Sequence, residues 1–166
     1  GALVQEQQAK ASTHPNTGMV VISDLIDSVT DIHPSDKRQV AARLANWALA
    51  ETYNIKGIHY KSPVYKDMSV NKNRITLNFD NIPNGLMTKE KTIQGFFISG
   101  EKEEWLPANA KIINNQIIVW HKNIPAPAQV RYAFGNTLVG NVFSKEGLPL
   151  CAFRTDDWKV DQNPVK

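Results

Sequence analysis

An aspartate and a histidine lie two residues apart, just before a segment with strong helical character, and their side chains could carry out acid–base chemistry. Asp31 and His33 belong to the stretch Thr-Asp-Ile-His-Pro-Ser-Asp-Lys at residues 30–37. In an extended segment residues i and i+2 point to the same side, so Asp31 can sit beside the His33 ring. A neutral imidazole held in this way can serve as general base to a serine hydroxyl. The purely structural interpretation is that Asp31 or Ser35 is a helix N-cap beside an exposed histidine.

The elements around this stretch are typical of an α/β sheet. Leu3–Ala11 is rich in helix formers and predicts a short helix. Met19–Ile22 is a continuous apolar run, which predicts a strand buried on both faces of a parallel sheet. A longer helix is predicted from about Ser35 to about Tyr53. Its apolar face contains Val40, Leu44, Trp47 and Ala48. His33 would then lie at the edge where open α/β sheets place their sites.

Beyond Gly57 short strand patterns and turn signals replace the helical ones. Arg74–Phe79 alternates strictly, with Ile75, Leu77 and Phe79 on one face. Residues 110–120 predict a hairpin that turns at Asn114-Asn115. The predicted fold is therefore the tail of an α/β sheet domain (strand, loop, helix) at residues 1–56, followed by an antiparallel β-sandwich at residues 57–166.

Composition and charge exclude several classes of partner. The net charge is only +3 and acidic residues stand among the basic ones, so nucleic acid is not a predicted partner. No apolar run approaches the roughly 20 residues that cross a bilayer, so no membrane segment is predicted. Cys151 is the single cysteine and cannot form an internal disulfide. The other histidines, His14, His59 and His121, are scattered without zinc-ligand spacing, so neither a metal nor another cofactor is predicted.

Two tryptophans of the β-region could bind sugar. Trp105 and Trp120 have flat aromatic faces that suit pyranose rings, although tryptophans in strands more often pack against the core or a sheet edge. Near the end of the chain, Arg154-Thr155-Asp156 predicts a salt-bridged terminus that packs back on the protein.

Several blocks of the chain together resemble the sialate O-acetylesterase family, which are carbohydrate esterases of the SGNH hydrolase type. The first group resembles the end of that family's catalytic domain: residues 16–21 (Asn-Thr-Gly-Met-Val-Val), 31–37, 43–45 (Arg-Leu-Ala) and 48–53. The second group is similar to the family's closing segment: residues 130–133 (Val-Arg-Tyr-Ala), 145–149 (Lys-Glu-Gly-Leu-Pro) and 153–156 (Phe-Arg-Thr-Asp). The resemblance spans nearly the whole chain and implies that residues 1–56 are the tail of an SGNH-like domain.

By this resemblance His33 matches the catalytic histidine, which would deprotonate a serine that attacks an acetyl ester on a sugar. The orienting acid is less clearly assigned. Many SGNH enzymes carry it three residues before the histidine, where this chain has Thr30. Asp31 lies two residues before, and Asp24, Asp27 or a backbone carbonyl could take the role instead.

The family's serine lies in a Gly-Asp-Ser block, and no such block occurs in this chain. We therefore expect the chain to be the C-terminal portion of the esterase, inactive alone, with the N-terminal half of the same enzyme as its partner and an O-acetylated glycan as substrate. The resemblance also implies an extracytoplasmic location, periplasmic or secreted. The alternative is a non-catalytic carbohydrate-binding or structural module built on residues 57–166.

Overall fold

A short helix opens the chain and a second helix follows the Asp31–His33 stretch. The computed structural model describes residues 1–31, 33–102 and 104–160. Helix α1 spans Ala2–Ala11, in agreement with the predicted first helix. Helix α2 spans Lys37–Trp47 and continues as a π-helical turn, Ala48–Thr52. In the described part of the chain, neither helix has the length and hydropathy to cross a membrane.

Helix α2 begins slightly later than predicted and is less buried. Its N-cap is Asp36, whose carboxylate accepts a hydrogen bond from the N–H of Gln39 at 3.0 Å. The predicted apolar face exists as a pattern, but no residue of α2 is buried, and Leu44 is 53% exposed. The helix lacks a sheet beneath it among the described residues, so its apolar side remains largely in water.

The predicted strand at Met19–Ile22 is not formed. These residues have no regular secondary structure, and none of their backbone N–H groups donates to an acceptor in the described ranges. A strand requires a neighbouring strand that supplies its ladder of hydrogen bonds, and no described strand lies alongside this run. The apolar run is still partly sequestered, since Val21 is 8% exposed.

Ten strands follow the helices in the part of the chain that the structure describes. Their bounds are β1 Val64–Asn71, β2 Arg74–Asp80, β3 Leu86–Thr88, β4 Phe96–Ser99, β5 Leu106–Pro107, β6 Asn109–Ile113, β7 Gln116–Trp120, β8 Gln129–Tyr132, β9 Val142–Ser144 and β10 Phe153–Arg154. Two four-stranded sheets have the orders β1-β2-β7-β6 and β10-β8-β4-β5, and β3 pairs with β9. All the described strand pairs are antiparallel.

The predicted alternation and hairpin are both confirmed. Ile75 and Leu77 of β2 are fully buried, and Phe79 is 6% exposed. Strands β6 and β7 turn at Asn114 and Asn115, whose φ angles of 50° and 64° are those of a type I′ hairpin turn. Side chains from both four-stranded sheets meet in one hydrophobic core.

The last strand ties the C-terminal residues and helix α1 to this core. Asp156 is buried and accepts hydrogen bonds from the Arg131 guanidinium at 2.7 and 2.9 Å. Arg154 donates to both carboxylate oxygens of Glu6 on α1, at 2.8 and 3.2 Å. The structure therefore agrees with a salt-bridged terminus at residues 154–156.

Candidate active site

Asp31 and His33 are in direct contact. The Asp31 Oδ1 atom lies 3.1 Å from His33 Nδ1 and also accepts the backbone N–H of His33 at 2.8 Å. The contact uses Nδ1, so the other ring nitrogen, Nε2, remains available for a substrate or a nucleophile. A carboxylate on Nδ1 favours the tautomer in which Nε2 is the basic atom. This is the arrangement that a general base requires.

The two alternative acids are engaged elsewhere. Asp24 forms a bidentate pair with Arg43, at 2.6 and 2.7 Å. Asp27 accepts a hydrogen bond from the backbone N–H of Ser35 at 3.0 Å. Hydrogen bonding by the side chain of Ser35, and to a lesser extent by its backbone, lowers the pKa of Asp27. Of the three aspartates considered from the sequence, Asp31 is therefore the one that the structure places against His33.

Arg43 fixes the segment that leads into this stretch. Besides pairing with Asp24, its guanidinium donates to the carbonyl oxygen of Val21. The two side chains are 11% and 19% exposed, which makes this a partly buried, well-satisfied pair. Helix α2 thus holds residues 21–24 on one side of the loop, while the Asp27–Ser35 bond closes the other side.

A second packing contact involves Gly18 and Trp47. A Cβ atom at Gly18 would lie 2.7 Å from the Trp47 ring, so only glycine allows the backbone to approach the indole this closely. The ring also packs edge-on against Tyr60, with centroids 5.1 Å apart. These contacts attach the beginning of the apolar run to the end of α2.

An apolar groove lies beside the Asp31–His33 pair. It has a volume of about 470 Å³, and Asp31 lies on its wall together with the apolar run Met19–Ile22. Large apolar side chains that are 40% or more exposed also line it: Val4, Val29, Leu138 and Val139. A continuous set of exposed apolar side chains of this kind typically marks a surface that another polypeptide or a ligand covers.

The described residues place no serine hydroxyl in hydrogen-bonding contact with His33. The Ser28 hydroxyl instead forms a hydrogen bond with that of Thr30 at 2.8 Å. Among the described residues, no group of three or more His, Cys, Asp or Glu side chains could hold a metal ion.

The two tryptophans differ in their surroundings. Trp105 packs against the Arg131 guanidinium at 4.2 Å and against the Trp158 ring at 5.6 Å, so it belongs to the C-terminal packing. Trp120 lies on the wall of a separate cleft. Sequence reasoning missed the Arg43 pair and the Glu6–Arg154 pair because each joins residues far apart in the chain, and no local pattern marks them.

Comparison with solved structures defines the class of protein. The chain superposes on the crystal structure of a carbohydrate acetylesterase from Xanthomonas citri with a TM-score of 0.88 and 36% sequence identity. The match covers 95% of this chain and 36% of that one. The fold described above is thus that of a segment of a carbohydrate acetylesterase. No protein-family model matches the chain.

Curated relatives sharpen this assignment. Sialate O-acetylesterase from Mus musculus is 31% identical over 127 residues, which are 72% of this chain and 24% of that protein. Sialate O-acetylesterase from Rattus norvegicus is 30% identical over 110 residues, 63% of this chain and 20% of that protein. The resemblance inferred from the motifs is confirmed: the chain is similar to the C-terminal part of a sialate O-acetylesterase. It spans about a quarter of the length of the curated relatives it matches.

Proposed function

We propose that this chain contributes the catalytic histidine of a serine O-acetylesterase that acts on an acetylated sugar, such as an O-acetylated sialic acid. His33 is the general base, and Asp31 orients it. The observation that carries the proposal is the 3.1 Å contact between Asp31 Oδ1 and His33 Nδ1, which leaves Nε2 for catalysis. The similarity to acetylesterases supports the reaction class.

The chemistry assigned to each residue follows from this geometry. Nε2 of His33 takes the proton of a serine hydroxyl as its oxygen attacks the acetyl carbonyl carbon. The imidazolium then gives that proton to the departing sugar oxygen, which leaves an acetyl-serine. In the second half of the reaction Nε2 takes a proton from water, and acetate is released. Asp31 holds the Nδ1–H tautomer throughout and stabilises the imidazolium.

The serine and the oxyanion-binding groups are proposed to lie on the N-terminal half of the enzyme, outside this sequence. Two observations support a polypeptide partner at the apolar groove. The backbone N–H groups of Met19–Ile22 have no acceptors within the described ranges, so an added strand could supply them. The relatives are about three to five times as long as the matched segment, so they contain chain enough to cover the groove.

The deciding experiment supplies the proposed N-terminal part of the enzyme. A polypeptide that carries the family's Gly-Asp-Ser block is joined to this chain, and acetate release from an O-acetylated sialic acid is measured. His33→Asn should lower kcat by about 10³-fold or more, whereas the matched variant His59→Asn should leave it unchanged. Asp31→Asn should lower kcat by about 10²-fold or more, and Asp27→Asn far less.

Two outcomes would contradict the proposal. Full activity in His33→Asn would remove this histidine from the mechanism. A large loss in Asp27→Asn with no loss in Asp31→Asn would reassign the orienting acid. The isolated chain should show no turnover of an activated acetyl ester above the background rate, because it lacks a nucleophile block.

A further inference from the structure

A second cleft lies on the β-region, apart from the Asp31–His33 pair. It has a volume of about 470 Å³, within the roughly 300–1,000 Å³ typical of small-molecule sites. Strand β6 forms one wall and residues 88–93 form another. Because β6 is the end strand of its sheet order, the backbone groups on its outer edge are available to ligand hydroxyls.

Trp120 gives this cleft an aromatic wall. It is paired in register with Asn109 of β6, which also lines the cleft. The Arg74 guanidinium lies 5.0 Å from the ring centre and holds the indole in place. Both tryptophans have an arginine against the ring, but Trp105 also packs on Trp158, whereas Trp120 also borders the cleft. An aromatic ring beside hydrogen-bonding groups suits a sugar ring.

The charged residues that line the cleft indicate whether the sugar it binds is neutral or charged. Lys91 and Lys111 both line the cleft, and both are exposed residues. Among the residues that the structure describes, no aspartate or glutamate lines the cleft, and nearby Glu90 is hydrogen-bonded to Gln94 at 3.0 Å. Two lysine side chains, with no carboxylate in the described lining, favour an anionic ligand.

We propose that this cleft binds a carboxylate-bearing oligosaccharide, with one sugar ring against Trp120 and its carboxylate between Lys91 and Lys111. Thr88, Thr92 and Asn109 supply further hydrogen-bonding groups on the wall. The site would hold a glycan chain without cleaving it. The proposal does not depend on the acetylesterase activity, because none of these residues belongs to the Asp31–His33 stretch or to its groove.

Binding is tested by titration calorimetry on this chain with a galacturonic acid tetrasaccharide. The fully methyl-esterified tetrasaccharide is the matched ligand control, because it keeps the sugar rings and removes the charge. The acid should bind, more weakly as salt is added, and the ester should bind at least about 4-fold more weakly. Binding of neither ligand, or equal binding of both, would overturn the proposal.

Variants locate the site. The double variant Lys91→Ala/Lys111→Ala alters only exposed side chains, and it should weaken binding of the acid by about 4- to 25-fold, from about 2- to 5-fold per ion pair. Lys122→Ala removes an exposed lysine outside the cleft and should leave affinity unchanged. Trp120→Ala should weaken the binding of both ligands. Equal losses in the Lys122 variant and the double variant would mean nonspecific charge attraction and would overturn the site.

Discussion

The ion pair between Glu6 and Arg154 offers a direct test of how helix α1 is held on the β-region. The pair joins residues 148 positions apart through two hydrogen bonds of 2.8 and 3.2 Å. The side chains are only 17% and 14% exposed, so water screens the pair less than a surface pair. The hydrogen bonds from Arg154 lower the pKa of Glu6. Glu6→Gln removes the charge while it nearly preserves the shape.

The expected loss of stability in Glu6→Gln follows from the strength of charge-assisted hydrogen bonds. Charge-assisted hydrogen bonds contribute about 1.5–3 kcal/mol each when buried, and partial exposure and the retained amide oxygen reduce the net loss to about 1–2 kcal/mol. For a chain of this length, such a loss lowers Tm by roughly 2–8 °C. Glu101→Gln, at an exposed glutamate outside the described ion pairs, is the matched control and should shift Tm by less than about 2 °C.

The pH dependence of the difference in Tm between the wild type and Glu6→Gln tests the electrostatic reasoning. Because the folded-state pKa of Glu6 lies below its ordinary value of 4.5, its contribution is complete well above that value and is lost as pH falls through the folded-state pKa. Calorimetry at a series of pH values should therefore show the wild type and Glu6→Gln differing near neutral pH and converging in acid. A difference in Tm that persists unchanged at about pH 3 would refute the electrostatic reasoning.

Two further predictions concern the loop anchor and the buried thiol. Arg43→Ala leaves the Asp24 carboxylate and the Val21 carbonyl without their donor. Urea unfolding should therefore show a free energy of unfolding lower by about 2–3 kcal/mol, against less than about 0.5 kcal/mol for the exposed control Arg38→Ala. Equal losses in the two variants would mean that Arg43 does not anchor the loop. Burial raises the pKa of Cys151 to about 11, so the thiolate fraction near neutral pH is about 10⁻⁴. A disulfide reagent should therefore modify the native chain at least about 100-fold more slowly than the denatured chain. Equal rates would mean that the thiol is accessible in the native chain.

Local patterns predicted those elements whose stability is local or periodic. The alternation at Arg74–Phe79 became β2 because its apolar face meets the core, and Asn114-Asn115 became a turn because asparagine tolerates positive φ. The run Met19–Ile22 has the composition of a strand but forms no ladder, since pairing depends on a neighbour that the run itself cannot specify.

The orienting acid could not be chosen from the sequence for a similar reason. Asp24, Asp27 and Asp31 lie within eight residues of one another and have the same chemistry. The assignment of the orienting acid depends partly on Arg43, which lies 19 positions beyond Asp24 and binds the Asp24 carboxylate. Asp31 was identifiable only as the residue that an extended segment could bring beside His33, and the structure shows this contact directly.

The exposure of the pair bears on how the proposed activity depends on the groove. In this chain the side chains of His33 and Asp31 are 77% and 58% exposed, and an ion pair or hydrogen bond so open to water contributes at most about 1 kcal/mol. A carboxylate orients a catalytic imidazole strongly only where water is excluded and the local dielectric is low. Asp31 lies on the wall of the apolar groove, so a polypeptide that covers Met19–Ile22 would also remove water from the pair. Under the proposed function, the same docking event therefore brings the nucleophile and strengthens the base that activates it.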